Sequence, residues 1–414
     1  MEYREIFPHH EEWLTDVDRA LADTASRWSE QEVIAKRLEH EEDYDGLLKP
    51  AMDKLFVEIG MQSLLWPEDL GGSAINDPEV AMTMAAVLEQ VGRADVGIGF
   101  ILANTFALQS SFGIGDNRDE SKLESLKGMF CGEEAAVASL VLPGYGAGSG
   151  GPDISGMSFQ VRTSKKDGGR VLNSENVRPQ CSGAKAALFG VVAGDAEDQP
   201  GLFLVREDAD GLSRGDQFLK TGLAASINAD LVFKDVIVSE SDIVFSGIQN
   251  YRALMSRYYL CCASVCMGAM IAGWEILKEW GETRVIKGKG QTFKDNPLVA
   301  SLMGEIGFRL NTSRMMLYGL ARVVSKPDIY GRPGDPKVFT TSVSTLCTTA
   351  RSAMDSLNNA MEMMASAGYA TEWQIERYWR DVKTMQTYLG PQMAAQMDAA
   401  RYYFGYQEAG GFDR

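Results

Sequence analysis

The sequence predicts a mainly α-helical protein with a central β domain: an N-terminal helical domain, a small β-barrel and a C-terminal four-helix bundle. Apolar residues recur at three- and four-residue spacing up to about residue 125 and again after about residue 247. Between these blocks, glycine becomes frequent and short apolar runs alternate with turns. A chain of 414 residues, of which 45% are apolar, can bury the cores of two or three domains. We expect domains at 1–127, 128–246 and 247–414.

The N-terminal block begins with two helix patterns. Residues 11–28 and 47–65 carry apolar side chains at helical spacing and predict amphipathic helices. A further helix is expected after Asp77 and Pro78, because aspartate caps helix N-termini and proline suits the first helical turn. Residues 66–72, Trp-Pro-Glu-Asp-Leu-Gly-Gly, interrupt the pattern and predict a tight loop.

The middle block has the pattern of short strands. Residues 158–177 predict a hairpin that turns around the sequence Lys-Lys-Asp-Gly-Gly at 165–169. Three further apolar runs predict strands at 187–192, 201–205 and 229–238. Short strands at this density, with turns between them, favour a small barrel or sandwich.

The C-terminal block returns to long helices. No proline occurs between Pro200 and Pro297, so residues 251–284 can form one helix. Residues 298–324 and 337–366 predict two more, and a shorter pair follows after Gly368, which together make a bundle. The first of these helices contains 17 consecutive uncharged residues, 258–274. This run is short for a membrane span and rich in Cys, Ala, Ser and Gly, so we expect a buried bundle helix.

Composition excludes several classes of function. A net charge of −17 and a pI near 4.8 argue against a nucleic-acid partner and an anionic membrane surface. The N-terminus shows no apolar stretch after a basic one, and the six cysteines contain no Cys-x-x-Cys pair. We therefore expect free thiols in a reducing cytoplasm. With His9, His10 and His40 as the only histidines, a Ser-His-Asp triad or a multi-histidine metal site is disfavoured.

One segment near the C-terminus carries a specific signature. Residues 380–390 read Arg-Asp-Val-Lys-Thr-Met-Gln-Thr-Tyr-Leu-Gly and resemble the R-D-A-K-x-x-x-x-Y-E-G-T segment of acyl-CoA dehydrogenases. In that family the glutamate before Gly-Thr removes the α-proton of the substrate. Leu389 stands at this position and Pro391 replaces the threonine. Because leucine accepts no proton, the resemblance implies a dehydrogenase scaffold without its usual base.

Other motifs extend the resemblance over nearly the whole chain. Residues 66–72 are similar to a P-E-x-x-G-G loop of the family. Residues 220–226 and 231–236 resemble its K-x-G-x-R-x-S and V-F-x-D-V segments. Found in this order, over three blocks of the matching structural type, they identify the chain as a divergent member of the acyl-CoA dehydrogenase family. The resemblance implies FAD as cofactor and an acyl-CoA thioester as substrate.

The positions that would face the flavin ring have changed. In the family, a T-E-P-G-A-G-S-D strand and a W-I-T strand hold the ring. Here Val141 replaces the threonine of the first strand, while Arg178 and Gln180 replace the tryptophan and the hydroxyl residue of the second. Arg178 either binds an anionic substrate group or is a surface residue. Ser149 either meets a phosphate of FAD or CoA or is a plain turn serine.

The positions that would contact the nucleotide half of FAD are also altered. The family reaches a neighbouring subunit's FAD through R-x-x-F-G and Q-x-x-G-G segments. Arg284 keeps the arginine of the first, so it either holds a phosphate in a neighbouring site or caps its helix. Glu362, Ala365 and Ser366 replace the glutamine and both glycines of the second. Their side chains and the added negative charge would oppose a diphosphate.

A base elsewhere in the chain is the remaining route to proton transfer. Some family members carry it on the first bundle helix, where the matching residue is about Tyr258, which is no carboxylate. Cyclic acyl-CoA dehydrogenases can use an acid from the region that resembles the acyl-pocket lining, and Asp95 is the candidate there. The alternative is that Asp95 is a helix-start aspartate beside Arg93.

Three functions therefore remain open. The first is the flavin-degenerate subunit of a heteromeric acyl-CoA dehydrogenase, in a homo- or hetero-tetramer with a second family member and with an electron-transfer flavoprotein as electron acceptor. The second is a self-sufficient FAD enzyme with a relocated base and an unusual acyl-CoA. The third is a non-redox acyl-CoA-binding or scaffold protein. A yellow colour of the purified chain distinguishes the second function from the others.

Overall fold

The computed structural model describes residues 6–7, 11–37, 43–73, 80–114, 120–144, 159–194, 199–389 and 392–405. Its architecture confirms the predicted order of a helical domain, a β domain and a helical bundle. The helix start expected at Asp77 and Pro78 lies outside the described residues, as does Ser149.

The N-terminal domain is built around two apolar helices, Val80–Ala94 and Val96–Ser111, that are buried on nearly every side. The helix of residues 11–28 begins later than predicted, after a short 3₁₀ turn, because Thr15 and Asp18 form a reciprocal cap: the Asp18 amide donates to Thr15 Oγ1 over 3.2 Å. In the second predicted helical region, two π-helical segments, Tyr44–Leu48 and Lys54–Glu58, flank a short α-helix at Lys49–Asp53. The helices are α1 (Asp16–Trp28), α2 (Lys49–Asp53), α3 (Val80–Ala94), α4 (Val96–Ser111) and α5 (Glu120–Phe130).

The loop predicted at residues 66–72 is present and tightly packed. Trp66 is buried against Phe130, with ring centroids 5.1 Å apart. Gly71 has φ = 91°, a conformation that favours glycine. A Cβ on Gly72 would lie 2.0 Å from the carbonyl oxygen of Trp66. Both glycines are therefore required by the backbone path.

The β domain is a single mixed sheet of eight strands. The predicted hairpin is confirmed as β2 and β3, with Lys166 opposite Gly169. The hydrogen-bonded order is β6-β7-β3-β2-β4-β5-β8, and β1 pairs in parallel with β4. The strands are β1 (Ala138–Val141), β2 (Arg162–Lys166), β3 (Gly169–Val177), β4 (Leu188–Gly194), β5 (Pro200–Arg206), β6 (Leu212–Gln217), β7 (Ala229–Ser239) and β8 (Ile243–Ser246).

The bundle is dominated by one long central helix, as predicted. This helix, α6, is the only one among the described residues that is long and apolar enough to cross a membrane, and 89% of its most apolar window is buried inside the protein. It therefore serves as the core helix of the bundle. The bundle helices are α6 (Ile248–Thr283), α7 (Pro297–Ser325), α8 (Pro327–Tyr330), α9 (Pro336–Met364), α10 (Ile375–Tyr388) and α11 (Gln392–Phe404).

Helices α6 and α9 run in the same direction. The rings of Tyr259 and Phe339 lie 6.1 Å apart near the helix starts, and further along Ser356 Oγ lies 3.5 Å from Met270 Sδ. Residue numbers therefore rise together along both helices. The carboxyl ends of α6 and α9 consequently lie at the same end of the bundle.

Candidate active site

A small cavity lies where the β sheet meets the amino-terminal half of α6 and the end of α10. Its volume is ≈ 230 Å³. The β domain contributes Leu142, Arg178 and Gln180 to its lining, α6 contributes Tyr258, and Leu389 follows directly after α10. The fold thus brings together Leu389, which the sequence resemblance aligns with the usual base, and Gln180, which it aligns with the flavin-facing strand. We refer to this space as the tyrosine cavity, because three further tyrosines line it: Tyr251, Tyr259 and Tyr388.

Two residues of the tyrosine cavity bond to each other. The hydroxyl of Tyr258 donates to Gln180 Oε1 over 3.1 Å, and both side chains are buried. The backbone of Gln180 is fixed in turn, because its N–H donates to the carbonyl oxygen of Leu140 on β1 over 2.8 Å. Burial raises the pKa of Tyr258 well above its ordinary value, so the hydroxyl keeps its proton. Gln180, which the sequence resemblance aligns with a flavin-bonding hydroxyl residue, is thus engaged within the protein.

Leu389 closes one side of the cavity with an apolar side chain. It is half-buried and packs against the core, and its amide donates to the carbonyl oxygen of Met385 over 3.0 Å. Its neighbour Tyr388 accepts a hydrogen bond from Asn228 Nδ2 over 3.1 Å. The backbone at residue 389 is therefore held in the cavity, while the leucine side chain supplies no charge and no proton acceptor.

The Arg-Asp pair at residues 380–381 docks α10 onto the β domain. The Leu223 amide donates to Asp381 Oδ1, and Leu223 has φ = 60°, which is strained for a leucine. A Cβ on Gly222 would lie 2.6 Å from the carbonyl oxygen of Arg380, so these two segments of the chain touch at the backbone. The two motifs at 220–226 and 380–381 thus form one structural contact that places Leu389.

Asp95 lies outside the tyrosine cavity and has a structural role in this fold. It precedes α4 and caps it, with Oδ1 accepting from the Ile98 amide over 2.8 Å. Its Oδ2 accepts from the guanidinium groups of Arg37, over 3.1 Å, and of Arg377. The side chain is 1% exposed and both oxygens are engaged. The helix-start interpretation is the one that this geometry favours, although the partners are Arg37 and Arg377 rather than Arg93.

This buried charge cluster extends to α10. Arg377 Nε lies 3.9 Å from Asp381 Oδ2, and Arg37 Nη1 donates to the hydroxyl of Tyr378 over 2.9 Å. Burial raises the pKa of Asp381, the Asp95 carboxylate raises it further, and Arg377 acts in the opposite direction. The pairing of Arg37 with Asp95 leaves no local pattern in the sequence, because 58 residues separate the two side chains.

Arg178 reaches the mouth of the cavity but is already neutralised. Its Nε and Nη2 donate to Asp230 over 2.8 and 2.9 Å, and its guanidinium lies 4.3 Å from the ring centroid of Phe218. This bidentate pair is half-exposed at the arginine. An anionic substrate group would therefore compete with the Asp230 carboxylate.

The other predicted site residues are far from the tyrosine cavity. Arg284 follows the carboxyl end of α6 and is exposed, and 26 residues of helical rise separate it from Tyr258, about 39 Å. Glu362 and Ser366 are exposed at the carboxyl end of α9, and Glu362 accepts from Asn358 Nδ2 over 2.9 Å. Since α6 and α9 are parallel, these three residues share one end of the bundle. They cannot act on the tyrosine cavity of their own chain.

The described residues do not fit a flavin ring in the tyrosine cavity. Ligand pockets usually measure about 300–1,000 Å³, above the ≈ 230 Å³ found here. Val141 is buried in β1 opposite Val191 and offers no hydroxyl, and Gln180 is bonded to Tyr258. A flavin ring and a thioester would together require this bond to break and the side chains to move apart.

Comparisons with known proteins relate both helical regions to one family. The family model "Acyl-CoA dehydrogenase, N-terminal domain" matches residues 15–122, and "Acyl-CoA dehydrogenase, C-terminal domain" matches residues 247–402. Among curated proteins, the chain is 23% identical over 399 residues to a cyclohex-1-ene-1-carbonyl-CoA dehydrogenase of Geobacter metallireducens. The match covers 94% of this chain and 98% of the relative.

Solved structures show the same fold along almost the whole chain. The butyryl-CoA dehydrogenase from Megasphaera elsdenii superposes with a TM-score of 0.77 at 20% identity, over 94% of this chain and 98% of that one. A chain from a structure described as the electron transferring flavoprotein of Acidaminococcus fermentans gives a TM-score of 0.79 at 18% identity, with 94% and 98% coverage. These likenesses establish the three-part architecture.

Proposed function

The chain belongs to the acyl-CoA dehydrogenase family, and from this premise we propose that it serves the α,β-oxidoreduction of an acyl-CoA thioester as the flavin-degenerate subunit of a heteromeric enzyme. In this assembly a second acyl-CoA dehydrogenase-like chain carries the FAD and the catalytic carboxylate. The present chain completes the oligomer and contributes side chains to its partner's site.

The observation that carries the proposal is the content of the tyrosine cavity. In this proposal Leu389 stands where the family has its base, and Gln180, which bonds to Tyr258 in the same cavity, stands where the family has a flavin-facing hydroxyl. These two replacements would remove both the proton acceptor and the flavin contact. The contacts that shape the backbone around the cavity are kept, including the docking of Asp381 onto Leu223. This combination favours a chain that is retained for its shape and its assembly.

The far end of the bundle supports a role across a subunit boundary. Arg284 is exposed about 39 Å along α6 from Tyr258, so any ligand that it contacts belongs to another site. A guanidinium there suits a phosphate of a partner's cofactor. Glu362 and Ser366 are exposed at the same end of the bundle. In an assembly of this chain with a second kind of chain, they would weaken the phosphate contact at only one of the two related sites. A tetramer of two kinds of chain accommodates this asymmetry.

The electron acceptor of the assembled enzyme is proposed to be an electron-transfer flavoprotein. One solved structure with this fold comes from work on such a flavoprotein. The acyl-CoA substrate is proposed from family membership and from the relative that is named as a cyclohex-1-ene-1-carbonyl-CoA dehydrogenase.

Flavin stoichiometry tests the proposal. The chain is purified alone, and also after co-expression with a family member that keeps the Tyr-Glu-Gly-Thr segment, and FAD per chain is measured after dialysis. We expect far less than one FAD per chain for the protein alone and about one FAD per intact partner chain in the complex. A protein that retains close to one FAD per chain on its own would contradict the proposal.

A variant of the complex tests the contact across the boundary. Arg284→Ala in the present chain is expected to lower FAD retention by the partner, because a charge-assisted hydrogen bond to a phosphate is lost. Arg162→Ala, which removes an exposed arginine on β2, is the matched control and should leave retention unchanged. Equal retention in both variants would assign Arg284 no role at the partner's site.

A second candidate function is a self-sufficient FAD enzyme that uses Asp95 as its base. The similarity to a dehydrogenase of a cyclic acyl-CoA favours it. The burial of Asp95 between Arg37 and Arg377 weighs against it, since the two guanidinium groups occupy the carboxylate and shield it from substrate. Acyl-CoA-dependent bleaching of bound flavin that disappears in Asp95→Asn, with an unchanged thermal midpoint, would establish this second function.

A further inference from the structure

An open groove of ≈ 720 Å³ lies on the opposite half of α6 from the tyrosine cavity. We call it the acidic groove. Its walls are the carboxyl-terminal half of α6, the turn at residues 371–374, and the helical segments Ser29–Val33 and Ile34–Lys36 that follow α1. Glu275 marks its centre on α6, about 26 Å along the helix from Tyr258. The two cavities are therefore separate, and a ligand of the acidic groove does not enter the tyrosine cavity.

Carboxylates dominate the walls of the acidic groove. Glu275, Glu279 and Glu282 lie on one face of α6 at helical spacing, Glu372 faces them from the turn, and Glu30 lies on the third wall. Three of the five are paired with basic side chains. Arg93 pairs with Glu30 and Glu275 at 2.5 and 2.6 Å, and a lysine, Lys278, lies 3.3 Å from Glu282.

Two carboxylates of the acidic groove remain without an ion pair. Glu279 and Glu372 have no basic partner in the part of the chain that the structure describes. They belong to different walls, so a cation between them would meet negative charge from both sides. Acidic residues alone often form only a solvated face, but this groove has a second, independent feature that indicates a ligand.

That feature is Gln374. Its side chain lines the groove, it is 8% exposed, and its Oε1 has no hydrogen-bond partner within the described chain. The amide orientation is fixed, because Nε2 donates to the carbonyl oxygen of Thr371 over 2.7 Å. The residue also has φ = 59°, a strained value for glutamine. Strain and an unsatisfied buried acceptor both cost folding free energy, and both are typical of binding sites.

Two further side chains complete the recognition chemistry. Trp373, half-buried beside Gln374, lines the groove with an indole, the aromatic ring that attracts organic cations most strongly. Arg37 Nε is a buried donor without a partner in the described structure, and it would meet an oxygen of the ligand. The charge of Arg37 is already balanced by Asp95.

We propose that the acidic groove binds a small organic cation, an ammonium or guanidinium compound that also carries an amide or carbonyl oxygen. The cationic group lies between Glu279 and Glu372 over Trp373 and donates to Gln374 Oε1. The oxygen of the ligand accepts from Arg37 Nε. A basic amino-acid amide has this combination of groups.

Calorimetric titration with a matched pair of ligands tests the proposal. Nα-acetyl-arginine amide carries the guanidinium and the amide oxygen, and Nα-acetyl-citrulline amide has nearly the same shape without the charge. Ionic strength is held constant, because a protein of net charge −17 attracts every cation weakly. We expect saturable 1:1 binding of the arginine compound and at least about tenfold weaker binding of the citrulline compound.

Variants locate the binding. Glu279→Gln combined with Glu372→Gln should weaken binding about tenfold, because both unpaired carboxylates are lost. Glu175→Gln combined with Glu240→Gln makes the same change of charge on the exposed surface of the β domain and should leave the affinity unchanged. Gln374→Asn tolerates a positive φ and withdraws the amide oxygen, and should weaken binding several-fold.

Three results would overturn the proposal. They are no saturable binding of the arginine compound at millimolar concentration, equal binding of the citrulline compound, and equal affinities for the groove variant and its control. Unchanged thermal midpoints of all variants ensure that the comparison concerns binding and not folding. If the same cation chemistry comes from a basic side chain of a second copy of this chain, the groove variant will also reduce self-association in light scattering, and the control will not.

Discussion

Replacing Gly268 by alanine should destabilise the protein by forcing α3 and α6 apart. The two helices touch at the backbone here. A Cβ on Gly268 would lie 2.2 Å from the carbonyl oxygen of Glu89 and 2.4 Å from the amide nitrogen of Arg93. Gly92 makes the reciprocal contact, since its Cβ would lie 2.5 Å from the carbonyl oxygen of Val265. Neither backbone can yield in the way that the end of a flexible side chain yields.

The magnitude follows from these distances. Ordinary contacts of a Cβ begin at 3.4 Å, so the helices must separate by about 1 Å or distort. Overpacking of this kind costs about 3 kcal/mol, the upper part of the usual range, because both contacts are to backbone. Alanine favours the helical state over glycine by about 1 kcal/mol. The net destabilisation is therefore about 2 kcal/mol.

Gly304→Ala in α7 is the matched control. A Cβ on Gly304 would meet nothing within 4 Å, so only the helix preference acts and the variant should gain up to about 1 kcal/mol. Thermal unfolding at one protein concentration compares the two variants, with the oligomeric state checked by light scattering. Gly268→Ala should unfold several degrees below wild type and Gly304→Ala at or above it. A midpoint for Gly268→Ala equal to that of Gly304→Ala would refute the close approach of the helices.

Three further outcomes are expected. Leu389→Glu alone should give no flavin bleaching by acyl-CoA, because a restored carboxylate still lacks a held flavin; strong bleaching would mean that only the base was lost. Tyr258→Phe should lower the thermal midpoint, since Gln180 Oε1 loses its buried donor at a cost of about 1–3 kcal/mol, whereas Tyr258→Phe with Gln180→Thr should cost less than the sum of the single changes. Additive losses would show that the two side chains are not coupled. Because burial raises the pKa of Asp381, the folded chain binds more protons than the unfolded one between about pH 4 and pH 6, and stability falls as the pH rises through this window. Asp381→Asn should remove this part of the pH dependence in denaturation followed from pH 4 to pH 7, and an unchanged profile would contradict the raised pKa.

Much of the fold could be predicted from the sequence because it depends on local periodicity. The 17 uncharged residues at 258–274 can only be buried, and they form the centre of α6. The hairpin of β2 and β3 was predicted from the Asp-Gly-Gly turn, and Gly168 adopts φ = 78° there. Strands β6 and β8 were not predicted, because Leu212–Gln217 is mostly polar and Ile243–Ser246 is only four residues long. Their partners in the sheet hold them in place.

The candidate site likewise depends partly on the sequence alone and partly on contacts between distant segments. The absence of a proton acceptor at residue 389 is a property of the sequence alone, since no conformation gives a leucine side chain one. Whether a residue near that position replaces it depends on contacts between distant segments. The structure places Asp95 between Arg37 and Arg377, 58 and 282 residues away, and joins Tyr258 to Gln180 across 78 residues. Such contacts leave no local pattern, because each is made by packing two elements whose own sequences are satisfied by many arrangements.

The sequence by itself determined that this chain has the three-part scaffold and that residue 389, in the segment that resembles the family's catalytic signature, is apolar. Only the tertiary structure decided that Tyr258 and Gln180 engage each other, and that Arg284 and Glu362 lie at the end of the bundle opposite the tyrosine cavity. The shared position of Arg284 and Glu362 follows from the parallel course of α6 and α9. Helical periodicity fixes which face of a helix is buried, but the direction and partner of each helix follow from packing over the whole domain.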